Sequence, residues 1–171
     1  MSNPHWLGPV RQTAFVVDDL EAAAGEWARR HGVGPWFLFD VVIPETTYRG
    51  TTVPMRSRMG LAQSGGQQIE LIQPDLSVPS LYKEFLDAGG TGVHHVCYWA
   101  DLDRARDEFV STGSELVQQG MTANGNGFLY VTGSCGVPYI EVVDPAGAML
   151  TFFDRIAAAS AAWDGVNAFV G

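Results

Sequence analysis

The polar and apolar positions of the chain alternate between two periods. Arg11 to Val17 has period two, with Gln12, Ala14 and Val16 on one face and Thr13, Phe15 and Val17 on the other, which predicts a strand. After Asp18-Asp19 the period becomes helical: Leu20, Ala23, Ala24, Trp27 and His31 share one face. The aspartates supply an N-cap, and Gly32-Val-Gly-Pro35 ends a helix of about 20–30. Trp36 to Ile43 is an aromatic-rich strand that Pro44 closes. A polar loop around Glu45 to Pro54 leads into a strand at roughly Met55 to Gln63. Ser64-Gly-Gly66 then turns the chain into a strand over Gln67 to Gln73, with Gln68, Glu70 and Ile72 on one face.

Pro74 to Pro79 reads as a linker. Ser80 caps a short helix holding Leu81, Phe85 and Leu86, and Gly89-Gly90 stops it. Gly92-Val-His-His-Val-Cys-Tyr-Trp99 is the next strand. His95 shares a face with Cys97 and Trp99, and His94 with Val96 and Tyr98. A helix over Leu102 to Ser111 and strands at Glu115–Gln119, Gly127–Val131 and Pro138–Val143 follow. Met149 to Phe153 reads as one more strand, and the alanine-rich tail from Ala157 as a helix that packs on the body or on a partner. The order β-α-β-β-β thus occurs twice, which predicts a single α+β domain. Its parts are one module at about 9–74, a linker helix at 78–90, a second module at about 91–154 and a tail at 155–171. A gapless overlay of the two halves pairs Gln12 with His94. Shortening by one residue after Ala100 pairs it with His95.

Composition narrows the function. A 46% hydrophobic and 17% charged chain of 171 residues is a folded globular domain. A net charge of −9 with a single lysine, Lys83, gives nucleic-acid binding no electrostatic support. No apolar run approaches the roughly 20 residues that span a bilayer. The start Met-Ser-Asn-Pro-His-Trp has no export pattern, and two distant cysteines, Cys97 and Cys135, form no disulfide framework, so the expected home is the reducing cytoplasm. Arg49, Arg56 and Arg58 form a local basic cluster, either a solvated strand face or an anchor for an anionic substrate group.

The chemistry is carried by polar residues in apolar strands. Gln12 opens the first strand of the first half and Glu70 sits in its last; His95 opens the first strand of the second half and Glu141 sits in its last. Buried carboxylates with no basic neighbour in sequence are costly unless a cation pairs with them. One nitrogen and three oxygen donors suit a six-coordinate divalent metal with open positions. Trp36, Phe37, Phe39, Phe128, Tyr130 and Tyr139 are available to line a cleft, with Trp36, Phe128 and Tyr130 as substrate contacts beside Arg49 and Arg56.

Gln-Ile-Glu-Leu-Ile-Gln-Pro74, Gly-Val-His-His-Val-Cys-Tyr98, Tyr-Ile-Glu-Val-Val-Asp-Pro145 and the opening Gln12-Thr-Ala-Phe-Val-Val-Asp-Asp-Leu20 resemble the four motifs of the vicinal oxygen chelate superfamily. That superfamily includes glyoxalase I, methylmalonyl-CoA epimerase, extradiol dioxygenases and bleomycin-resistance proteins. The resemblance spans about 9–154. It implies two paired βαβββ modules forming a curved mixed sheet around a central cleft. It also implies one divalent ion (Zn, Ni, Co or Mn) on Gln12, Glu70, His95 and Glu141, where the family's second histidine points to His95 over His94. The metal of such proteins chelates two adjacent substrate oxygens and so acidifies a neighbouring C–H, and Glu141 is the candidate base. Gln12 stands where dioxygenases need histidine, which argues against oxygenase chemistry. No Asp or Glu occurs from Thr46 through Ile69, which argues against a two-base epimerase. The expected function is a metal-dependent lyase or isomerase of glyoxalase or epimerase type acting on a small molecule. The alternative is a metal-free binding protein of bleomycin-resistance type. Small members of this architecture often pair, and the apolar tail needs a surface to cover, so a homodimer is expected.

Overall fold

The twofold repeat of the sequence becomes a twofold repeat in space. The computed structural model describes residues 6–170. In chain order the elements are β1 (Gln12–Val16), α1 (Leu20–His31), β2 (Phe37–Tyr48), β3 (Thr51–Ser64), β4 (Gln67–Pro74), α2 (Leu81–Asp87), β5 (Val93–Trp99), α3 (Leu102–Ser111), β6 (Leu116–Met121), β7 (Gly127–Thr132), β8 (Tyr139–Val143) and α4 (Ala148–Ala161). Each module's last strand lies parallel to its first, β4 on β1 and β8 on β5. Antiparallel pairs β1–β5 and β2–β6 join the modules, and the mixed sheet closes as a barrel in the order β1-β4-β3-β2-β6-β7-β8-β5. The closing β2–β6 pair spans only Thr46–Tyr48, so Phe37–Ile43 of β2 pair with β3 alone.

Register settles the alignment of the halves. Gln12 lies opposite Gln68 and Ala14 opposite Glu70; in the second module His95 lies opposite Tyr139 and Cys97 opposite Glu141. Gln12 therefore corresponds to His95, and Ala14 to Cys97. The β1–β5 ladder agrees, pairing Gln12 with Cys97 and Ala14 with His95 as a pseudo-dyad requires.

Helices α1 and α3 pack on the outer faces of the two modules. Asp19 caps α1 by accepting from the Ala22 N–H, and Leu20 and Ala24 bury against Trp36, Ala62 and Leu71 on the outer face of the first module. Ala105 and Phe109 of α3 do the same with Leu129 and Val142 on the second. The linker helix α2 plugs one end, where the Tyr82 hydroxyl lies 3.0 Å from that of Tyr130 and Leu81 N–H donates to Gln118 Oε1.

Two elements differ from the sequence reading. Pro44 does not end β2, because it falls in a bulge between Ile43 and Thr46 where the ladder needs no N–H from it. β2 and β3 thus form one long hairpin through Arg49-Gly50, both at positive φ (44° and 77°) as a tight two-residue turn requires. Met149 to Phe153 is helix, not strand. Met149, Phe152, Phe153 and Ile156 repeat at i, i+3, i+4 and i+7, and the alanines that follow carry the helix on to Ala161. Beyond Ala161 the tail is not helical. It returns to the first module, where Trp36 N–H donates to Ala168 O and Val170 N–H to Trp36 O. The tail's apolar surface is therefore covered in part by its own body, while Val166 and Phe169 stay exposed.

Candidate metal-binding active site

Alternation in β1, β4, β5 and β8 turns Gln12, Glu70, His95 and Glu141 inwards, while Ile69, Leu71 and Val142 pack against the outer helices. All four inward side chains are buried, His95 completely. His95 Nε2 lies 3.3 Å from Glu70 Oε2 and 3.2 Å from Glu141 Oε2, yet it lacks the alignment of a hydrogen bond to either. The three donor atoms fall within 4.8 Å of one another. Donors about 2.1 Å from a shared ion at right angles sit about 3 Å apart, so the two shorter separations suit a divalent cation. Gln12 joins them at the wall of the same cavity. Its amide N–H spans 3.4 Å to Gln68 Oε1, leaving its carbonyl oxygen as the fourth donor candidate.

The electrostatics of the cluster ask for positive charge. Burial disfavours the imidazolium of His95, but Glu141 and Glu70 outweigh it and push its pKa up to about 9. Burial lifts the Glu70 carboxyl, with the charge of Glu141 adding to the rise. Burial opposes ionisation of Glu141 too, yet His95, Tyr130 and Cys97 beside it prevail and hold it below its ordinary value. Of the two carboxylates, Glu141 is the readier to stay ionised.

His94 points away from this cluster, into the rings of Tyr82, Phe85 and Tyr139. Its Nδ1 is 2.9 Å from His95 Nδ1. Burial keeps His94 neutral, so its Nδ1 can accept a hydrogen bond from His95 Nδ1–H and hold the ring with Nε2 facing the carboxylates. His94→Leu keeps the bulk but removes the acceptor. We expect its affinity for a divalent metal to fall by about 10–100-fold while the site still fills at saturating metal. A metal titration giving the wild-type affinity would reject this role.

The cluster forms the floor of a cavity of about 390 Å³. Phe128 and Tyr130 line it, as do Cys97 and Trp99 from the His95 face of β5. The remaining substrate-contact candidates lie elsewhere. Trp36 is wholly buried beneath α1, on the outer face of the sheet, because the phase of β2 sends it and Leu38 outwards. Arg56 lies exposed on the outer face of β3, across from Val42. Arg49 sits at the hairpin tip, with Nε and Nη2 donating to Glu84 at 2.7 and 2.6 Å. Glu84 also accepts from the hydroxyls of Tyr48 and Tyr139, so Arg49 ties the first module to α2 and β8.

That network has a pH signature. Arg49 above all, then the two tyrosines, hold the Glu84 carboxyl down to about 2 from 4.5 against the effect of burial. A depressed carboxyl adds stability that is complete above pH 4.5 and lost as pH falls towards 2. Allowing for partial exposure, we expect Glu84→Gln to cost about 2 kcal/mol at neutral pH and little at pH 2. Denaturant unfolding at both pH values is the test, and an equal cost at each would dismiss the network.

Sequence reasoning missed the wall supplied by α4, where Ala148, Met149, Phe152 and Phe153 line the cavity. The helical spacing of those apolar residues was the available signal. It also missed Tyr82, whose position depends on how the linker helix docks.

Comparison with known proteins accords with this architecture. A methylmalonyl-CoA epimerase from Mycobacterium tuberculosis shares 21% identity over 88% of this chain and 97% of its own, with a TM-score of 0.57. A Streptomyces coelicolor methylmalonyl-CoA epimerase variant in complex with 2-nitronate-propionyl-CoA shares 18% over 82% and 99%, with a TM-score of 0.53. A hypothetical protein of Bacillus halodurans shares 14% over 81% and 95%, also at 0.53. At these identities the likeness is one of fold. No curated protein sequence matches the chain. The family model for the glyoxalase/bleomycin resistance protein/dioxygenase superfamily matches residues 11–132, well over half of the chain, and the protein belongs to that superfamily.

Proposed function

We propose that this protein is a metal-dependent lyase or isomerase that removes a proton from a carbon next to a carbonyl. The observation that carries the reading is the Glu70–His95–Glu141 cluster at the floor of an otherwise largely apolar cavity. Gln12, Glu70, His95 and Glu141 would hold one divalent ion, of zinc, nickel, cobalt or manganese, which when bound supplies Lewis-acid polarisation of two adjacent substrate oxygens. Glu141, the carboxylate held in its ionised form, takes the proton. The apolar walls exclude water from the reacting carbon and strengthen every charge interaction at the floor.

One carboxylate doing the proton transfer fits this cavity better than two acting from opposite faces. Besides Glu70 and Glu141, the acid among the lining residues is Asp40. Glu45 lies in a separate outer groove with Asp101, Asp103 and Asp144. A second reading rests on His95 itself: as an imidazolium it balances both carboxylates without an ion, as suits a metal-free module that sequesters a small apolar molecule.

Solvent exchange separates the two. Candidate α-hydroxyketones, hemithioacetals and 2-methyl-acyl thioesters are incubated in deuterated water with metal-loaded and with chelator-stripped protein. Metal-dependent deuterium uptake by at least one class is the expected result. No uptake by any class with loaded protein would favour sequestration. The proposed setting is a reducing cytoplasm, consistent with free Cys97 and Cys135. The proposed assembly is a homodimer, with exposed Val42 and Met121 as apolar contacts, and sedimentation at micromolar concentration showing only an 18.5 kDa species would reject it.

A further inference from the structure

The C-terminal helix decides what the cavity can take. α4 lies across the end of the barrel opposite the α2 plug and is fastened along its length. Phe152 meets Phe37 and Phe39 edge-on at 5.7 and 5.6 Å, and Phe153 stacks on Trp99 at 5.3 Å and 15°. Trp99 in turn carries the Arg11 guanidinium at 4.8 Å, and Phe37 carries that of Arg155 at 5.3 Å. Ile156 is fully buried against Phe37 and Leu61. Ser160 Oγ accepts from Gln63 N–H at 3.2 Å, and the segment beyond hydrogen-bonds to Trp36. The helix is a fixed wall.

Polarity and charge then point the same way. The cavity has a volume of about 390 Å³. Opposite the polar floor the walls include Phe39, Phe128, Phe152 and Phe153, with Met149 and Trp99 between them. Among the described residues, no arginine or lysine lines the cavity. β2 and β6 pair only over Thr46–Tyr48, and the rim beyond carries Asp40, Thr122 and Asn124. The adjoining groove sets Glu45, Asp101, Asp103 and Asp144 against Arg106. A phosphate-bearing arm leaving through this opening would run past Asp40 and the four carboxylates of that groove, against Arg106 and, at the α4 end, the Arg11 and Arg155 guanidiniums that are held over Trp99 and Phe37. Arg56, on the outer face across from Val42, is a cation beside the rim and serves as a control.

We propose that the site takes compact ketones bearing an aryl or branched alkyl group and a neighbouring hydroxyl, rather than thioesters of coenzyme A, and that Phe152 and Phe153 of α4 determine this preference. The proposal rests on the floor being the reactive site. The carbon's proton passes to the Glu141 carboxylate and a solvent proton replaces it, so the exchange needs no further reactant.

Binding is read by quenching of tryptophan fluorescence, Trp99 being in the wall, and confirmed by calorimetry. The probe is 2-hydroxyacetophenone, with propionyl-CoA as competitor. Metal-loaded wild type is expected to bind the ketone, with no displacement by a hundredfold excess of propionyl-CoA. Phe152→Ala and Phe153→Ala should each weaken it at least tenfold, with circular dichroism checking that α4 persists. Met149→Trp fills the cavity without removing an anchor of the helix and should abolish binding, whereas Arg56→Ala should change nothing. Propionyl-CoA binding as tightly as the ketone, above all if Arg56→Ala weakens it, would overturn the proposal, as would ketone binding unaltered in Met149→Trp. Binding of the ketone without proton exchange would refute the enzymatic reading and leave the ligand class standing. Exchange of an acyl-CoA without ketone binding would do the reverse.

Discussion

Wild-type protein purified without chelator is expected to carry about one divalent ion per chain, and His95→Ala or Glu70→Ala to carry almost none. The size of this effect follows from burial. Glu70 and Glu141 are both nearly inaccessible to water, and His95 is the group that stands between them. Removing the imidazole deletes the one nitrogen donor and leaves two carboxylates facing each other, so the site becomes an acid pair that shares a proton. The same substitution has a readout that does not involve metal. Breaking a buried charge cluster by deleting one partner costs about 3–5 kcal/mol, so chelator-treated His95→Ala should unfold at markedly lower denaturant than chelator-treated wild type. His94→Leu is the comparison at an equally buried neighbour: it should weaken metal binding yet leave a site that still fills at saturating metal, where His95→Ala stays empty. Elemental analysis showing full metal in His95→Ala would transfer the ligand role to another residue.

The residues legible in the sequence share one property: each violates the apolar pattern of its own strand. Glu70 within Gln-Ile-Glu-Leu-Ile and Glu141 within Tyr-Ile-Glu-Val-Val are costly where they stand, and cost is visible without coordinates. The repeat of βαβββ was legible for a related reason, because alternation and helical spacing are local properties. What local pattern could not show was partnership between distant elements. Arg49 reads as a free cation until Glu84, on a helix 35 residues away, is brought against it. Trp36 reads as a cleft aromatic until the phase of β2 places it beneath α1. His94 and His95 are distinguishable only through register, since a one-residue slip exchanges the faces of a strand. α4 was obscured for another reason: Met149 to Phe153 is too short an apolar run for its period to be told from that of a strand, and only Ile156 and the alanines beyond extend it into a helix.

Glu141→Gln is expected to slow the exchange of the substrate proton by at least about 10²-fold while the protein keeps most of its metal. The amide matches the carboxylate in shape and retains an oxygen donor, so Gln12, Glu70 and His95 together with the new amide still offer one nitrogen and three oxygens. What the substitution removes is basicity. Glu141 is the carboxylate whose ionised form is favoured at this site, with Tyr130 and Cys97 beside it, whereas Glu70 is pushed towards its protonated form. Glu70→Gln therefore makes the informative comparison: it alters the ligand set in the same way but leaves the proposed base in place, and its exchange rate per bound metal should stay within about tenfold of wild type. Metal content must be measured in the same samples, because a rate lost in proportion to metal reports coordination alone. Equal exchange rates per metal in Glu141→Gln and wild type would remove Glu141 as the base. A large loss confined to Glu70→Gln would assign that role to β4 in place of β8, an exchange of duties between two strands that the pseudo-dyad of the barrel makes geometrically equivalent.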